Sequence, residues 1–286
     1  MTVVAMCAAA LALFVIGGTA ARRDIAGARG LEKMVALRYV CFATPLAVFG
    51  ALHLFGPQFV APLVPRYMPI RSFWVYLVGG ALITASVSIA TRTAVRWSGL
   101  LAGVMMFAFV AMIHLPGALA RPHDRLIWTI VFREMSFGGG AWLLAGAASK
   151  GSRGSGTLIT TGRVFVTIAI IVFGIEALLH PTLLPGVPLQ KQMPAWISAR
   201  VLIGYATGLA LLVTGGCLLV NRNARIAAAC LGAWLLLLVL VIYAPVLVLA
   251  MSEPGIGARL EGVNYFADTL LFAGTVLAMA GASPTR

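Results

Sequence analysis

In the segment "EALLH", Glu176 and His180 stand four residues apart, the spacing that sets two side chains one turn apart on the same helix face. A carboxylate and an imidazole so placed can exchange a proton or hold a ligand. Three more ionisable residues lie inside strongly apolar runs: the neighbours Arg133 and Glu134 in "VFREMSF", and Asp268 in "FADTLLF". His53 in "ALHLF" and His114 in "MIHLP" fall at the ends of two others. An ionisable group at the centre of a membrane costs about 2.5–3.5 kcal/mol on insertion scales, so each needs a physical reason to be there. One reason is an outward-opening polar pocket built from Glu176, His180, Glu134, Asp268, His53, His114 and Arg133. The other is structural. Carboxylates near helix N-termini and histidines near C-termini complement the helix dipole, and an arginine can snorkel to the headgroups. The sequence leaves both open.

Other chemistries find less to work with. Neither His-Glu-x-x-His nor Glu-x-x-His occurs, and the first half of the chain offers Leu52 and Gly56 where the second has Glu176 and His180. No metal or haem site is therefore expected. Cys7, Cys41, Cys217 and Cys230 form no Cys-x-x-Cys and fall within apolar runs, which disfavours thiol-redox catalysis. "GSRGSG" lacks the Lys-Ser/Thr of a phosphate-binding loop, and no Gly-x-Ser-x-Gly elbow is present. No complete catalytic set is visible, so the chain is not expected to be an enzyme on its own.

The elements that would position these residues follow from composition. The chain is 61% hydrophobic and only 10% charged, with a mean hydropathy of +0.99. Apolar runs near the ~20 residues needed to cross a bilayer recur along it. They predict nine helices, at about 2–20, 35–56, 73–91, 98–120, 127–148, 164–180, 200–220, 226–250 and 263–282. The fold class is an all-α polytopic membrane protein in contact with the lipid bilayer. With residue 1 outside, the inner segments hold thirteen Lys and Arg, Lys150 and Arg286 among them, against seven outside. This predicts an N-out, C-in chain in a bacterial-type cytoplasmic membrane. Anionic lipid is then the counterpart of the net charge of +13, and no surface domain is left to hold nucleic acid. Arg22 and Arg23 follow the first apolar run and no basic residue precedes it, so a retained helix is favoured over a signal peptide.

The chain also repeats itself. "VFGALHLFGPQFVAPLVPRYMP" (48–69) returns as "VFGIEALLHPTLLPGVPLQKQMP" (172–194), "AMIHLP" as "LVIYAP", and "FREMSFGGGAWLLAGAAS" as "FADTLLFAGTVLAMAGAS". Glu134 is thereby matched to Asp268, and His114 to Tyr243. The expected organisation is an N-terminal helix and basic loop (1–34), a four-helix module (35–148), a flexible linker (149–163) and a second module (164–286). Four helices per module make the two parallel repeats about an axis along the membrane normal. Their packing should use the small residues of Gly99-x-x-x-Gly103, Gly204-x-x-x-Gly208 and Gly138-Gly139-Gly140.

An Phe-Gly-x-x-His-Leu helix end, a loop of the form Pro…Val-Pro…Pro, a Tyr-Leu-x-Gly helix and a helix ending His-x-Pro together resemble the DoxX-like family of four-helix membrane proteins, present here twice. The second copy departs from the pattern, with Ala177 at the place of His53, Tyr243 at that of His114, and the loop aromatic Tyr67 displaced to Trp196. The resemblance implies an accessory or scaffold subunit of a membrane redox assembly, with quinone as the linked cofactor, membrane or periplasmic redox proteins as partners, and oligomerisation left open. It supplies no catalytic residues. The alternative from the residues is a carrier or binding protein for a small apolar or weakly acidic molecule, proton-coupled through Glu134 and Asp268.

Overall fold

The computed structural model describes residues 1–149 and 151–284; the inner-side positions expected for Lys150 and Arg286 lie outside them. Nine long helical segments follow one another: α1 Thr2–Gly27, α2 Arg38–Phe55, α3 Arg71–Thr91, α4 Val95–Ala120, α5 Arg125–Ala148, α6 Ser155–Leu179, α7 Arg200–Leu219, α8 Ala224–Ser252 and α9 Ile256–Ala282. Eight are long and apolar enough to cross a bilayer. The exception is α5, which has the length but carries Arg125, Arg133 and Glu134. Among the described residues no strand forms, and one isolated bridge joins Leu183 to Gln192. The protein is an all-α polytopic membrane protein.

The helices pack in a ring in chain order from α2 to α9. It closes where α5 meets α6 and where α9 meets α2, and α5 and α9 also pack against each other across it. These contacts exchange when the two halves of the chain are swapped. The α1 helix lies outside the ring against α2, α3 and α9, with most of its apolar surface exposed for lipid. Close approach uses small residues, as lipid offers no hydrophobic drive between helices. A Cβ added to Gly139 on α5 would sit 2.8 Å from the carbonyl oxygen of Gly162 on α6, and one on Gly162 would sit 2.5 Å from that of Gly139. The Gly99 and Gly208 positions likewise face backbone, against Ala141 O and Gly174 O.

Local chemistry explains the breaks in the pattern. A proline lacks the N–H of a helical residue, and its ring meets the carbonyl four residues back. Pro116 and Pro245 each follow a five-residue π-turn, Val110–His114 in α4 and Val239–Tyr243 in α8. The wider turn accommodates the missing bond without ending the helix. The α3–α4 and α7–α8 connections also match, each with two left-handed non-glycine residues: Arg92 and Ala94, then Asn221 and Asn223.

Three expected boundaries are corrected. The linker is not 149–163: α6 begins at Ser155, whose hydroxyl donates to Gly146 O at 2.8 Å while Ile159 packs on Gly146. Tertiary contact thus extends the helix through a Gly/Ser-rich sequence. The first helix runs to Gly27 rather than residue 20, taking Arg22 and Arg23 into its last turns. Finally, α9 starts at Ile256 rather than 263, so Asp268 lies ~18 Å along a helix ~40 Å long instead of ~8 Å from its end.

Candidate functional site

The last helices of the two halves, α5 and α9, bring three of the expected residues together. Arg133 donates from Nη1 to Asp268 Oδ2 at 2.8 Å and from Nη2 to Glu134 Oε1 at 2.7 Å. Both carboxylates are buried, Glu134 at 8% exposure and Asp268 at 4%. Arg133 and Glu134 are neighbours on α5 and leave it ~100° apart, so the long arginine side chain must bend to reach both acids. Phe137, one turn further on, lies 6.0 Å from the guanidinium. The Nε of Arg133 is buried without an acceptor. In the similar stretch "FADTLLF" the residue opposite Arg133 is Ala267, and one cation serves two carboxylates. The cluster carries one negative charge more than its arginine balances.

Asp268 is too deep for the dipole of its helix, which acts over the first turn only, and Glu134 stands nine residues after Arg125. The N-cap of α5 is Asp124, whose carboxylate accepts from Ile127 N. Capping therefore does not account for either buried acid. His114 lies in the π-turn of α4, half-buried and within electrostatic reach of Glu134 and Arg133.

The other candidates go elsewhere. Glu176 pairs with Arg125 at 2.9 Å, while the ring of His180 is exposed and takes no hydrogen bond or ion pair among the described residues. The i,i+4 pair is not assembled as an acid–base couple: α6 ends at Leu179, His180 is its non-helical cap, and the first residue of α5 holds the acid. His53 donates from Nδ1 to Phe49 O at 2.7 Å and packs against Gly79, a helix–helix contact away from the cluster. Of the seven residues, Glu134, Asp268 and His114 lie around Arg133, Glu176 joins Arg125, and His53 and His180 stand apart.

The sequence reading missed a buried loop. Residues 183–189, "LLPGVPL", are shielded from solvent throughout, whereas much of the matching loop after α2 is exposed. Irregular backbone inside a membrane bundle needs partners for its polar groups. Arg125 supplies two, to Pro188 O at 2.7 Å and Leu189 O at 2.5 Å. Tyr243 donates to Pro185 O at 2.6 Å, and Tyr265 accepts from Gln190 N and Lys191 N at 3.3 and 3.0 Å. Gly186, at φ +107°, makes the bend. The apolar, uncharged composition of the segment was the signal available. Arg125, Tyr243 and Tyr265 gave none, since their partners are carbonyls and amides of another element.

No cluster of three or more His, Cys, Asp or Glu suited to a metal occurs among the described residues. Comparison with protein-family models, curated proteins and solved structures finds no match. The chemistry at the centre of the bundle is thus that of two carboxylates sharing a guanidinium. Such a group can take up and release one proton while remaining bonded.

Proposed function

We propose that the protein is a proton-linked carrier for a small apolar or weakly acidic molecule. The observation that carries this reading is the Glu134–Arg133–Asp268 cluster, buried where the two halves meet. A surplus charge in an apolar bundle costs several kcal/mol unless an ion or proton offsets it. A carrier built of parallel repeats works by moving one half against the other, and the α5–α9 contact is the place where such a movement would be felt. The matched π-turns, the matched left-handed turns and the exchange symmetry of the ring support two four-helix units duplicated in tandem; that these are DoxX-like units rests on the sequence resemblance alone. Proteoliposomes filled with a pH-sensitive dye and offered a panel of small organic acids test the function. A transported acid should drive proton movement in the wild type, slowed roughly tenfold or more in Asp268→Asn. Equal rates in the two proteins would remove the cluster from the mechanism.

A second reading is the accessory subunit of a quinone-linked redox assembly. Its support, beside the DoxX-like resemblance, is that both carboxylates are already bonded to Arg133, as in an ion cluster that only holds helices together. No acid in the panel would then move protons in either protein, and a pull-down in mild detergent would recover redox partners.

The orientation belongs to the same proposal: nine crossings in a bacterial-type cytoplasmic membrane, N-terminus outside and C-terminus inside. Single cysteines at Ser152 and Gln190, in a background without the native cysteines, should label from opposite sides. Labelling from one side would overturn both the orientation and the even number of helices per unit.

A further inference from the structure

The π-turns of α4 and α8 bring different residues toward the same cluster. The turn in α4 ends on His114 and that in α8 on Tyr243, at like places in the stretches "AMIHLP" and "LVIYAP". Such turns insert an extra residue into a helix and are frequent at functional sites. The element packed on the first of them is α5. Val110, Leu115 and Ala118 of α4 pack with Val131 and Met135 of α5, residues that bracket His114 and Glu134 along the two helices. Glu134 and Arg133 are the charged groups within reach of the imidazole. Its ring is half-buried and makes no hydrogen bond among the described residues. Only ~9 Å of helix separates it from Ala120, the last residue of α4.

Tyr243 stands in the same relation to Asp268, but it is shut in. It is 1% exposed, and its hydroxyl donates to Pro185 O in the buried loop 183–189. Gly186 of that loop lies against Leu235 and against Thr269, the residue after Asp268; an added Cβ would be 3.1 and 3.4 Å from them. Arg125, Tyr265 and the Lys191–Glu261 pair at 2.7 Å hold the loop and the residues after it in place. The loop after α2 packs on α2 and α3 and stays largely exposed.

The two approaches to the cluster are thus unlike. One ends in an unbonded imidazole, the other in a phenol tied to a sealed loop. We infer that protons reach the cluster through the first half of the chain, and that His114 is the group that passes them. The inference rests on the proton-carrier reading and names its point of proton entry. An imidazolium at His114 gives its proton to the Glu134 carboxylate and, left neutral, takes the next one from water at the end of the bundle. The reverse sequence releases a proton. Imidazole suits this step because it gains and loses a proton near neutral pH, whereas a phenol ordinarily keeps its proton up to about pH 10.

The test follows proton exchange at the cluster and needs no transported substrate. The full chain in proteoliposomes is switched from water to heavy water by rapid mixing. Infrared absorption at the carboxyl C=O stretch then follows the component that is missing from Glu134→Gln, Asp268→Asn. His114→Ala should slow its exchange roughly tenfold. Imidazole added to the buffer should restore most of the rate in that variant and leave the wild type unchanged, whereas a loss caused by altered packing would not respond. His114→Gln, which keeps a polar side chain of similar size, should be as slow and carries the comparison if the Ala variant fails to fold. His180→Gln, at an exposed ring, should exchange like the wild type. Tyr243→Phe, which frees the phenyl ring from Pro185 O, should be no slower than the wild type. Three results would overturn the inference while leaving the shared proton in place: wild-type exchange in the His114 variants, slowing in His114→Ala that imidazole does not relieve, or equal slowing in Tyr243→Phe. A wild type without the carboxyl component would instead remove the proton-carrier reading, and this inference with it.

Discussion

Replacing Arg133 by Gln should cost the fold about 3–5 kcal/mol, because it leaves Glu134 and Asp268 facing each other without a cation. In detergent the variant should lose its monodisperse elution and much of its helical melting transition. The triple variant Arg133→Met, Glu134→Gln, Asp268→Asn should recover both, since removing all the charges also removes the penalty for burying them. Recovery separates the two uses of the cluster: the neutral version would hold the helices together yet move no proton. A triple variant as unstable as Arg133→Gln would show that the arginine acts through its packing on Phe137 and not through charge.

The second large effect is expected at the closest joint between the halves. Gly162→Leu places a Cβ 2.5 Å from Gly139 O and a branched side chain against Leu143, so α6 must move off α5. Overpacking of this kind costs about 1–3 kcal/mol, at the upper end where the opposing atom is backbone. Gly156→Leu, six residues earlier on the same helix, meets nothing within 4 Å and should melt like the wild type. Thermal unfolding of the two variants, followed by far-ultraviolet circular dichroism, checks the pair. Equal melting temperatures would mean that α5 and α6 are not held at this distance.

These two sites also show what the sequence could and could not disclose. Apolar runs of membrane length located eight helices that are long and apolar enough to cross a bilayer, because burial in lipid demands both length and hydropathy; α5 has the length alone. Helix ends were harder: Ser155 is helical because Gly146 receives it, and no local propensity records that. The error at the start of α9 mattered most. It made Asp268 look like a residue near a helix end, when it lies near the middle of its helix. Glu134 and Asp268 were legible as a pair through the likeness of "FREMSF" to "FADTLLF". Their shared partner was not, since which way Arg133 turns depends on how α5 and α9 are rotated against each other. The Glu176–His180 spacing suggested one helix face, but α6 ends at Leu179 and leaves His180 in a non-helical cap, while Arg125 from another helix holds Glu176. Local periodicity fixes a face, whereas the partner on that face is decided by packing.

Infrared difference spectroscopy of the reconstituted protein across a pH titration examines the shared proton most directly, because a protonated carboxyl group shows a C=O stretch that a carboxylate lacks. The wild type should show, among the carboxyl bands of its eight Asp and Glu residues, a titrating component that is missing from Glu134→Gln, Asp268→Asn and present in Glu176→Gln, whose carboxylate belongs to Arg125 instead. Difference spectra in which the double variant loses no component relative to the wild type would contradict a proton held between Glu134 and Asp268.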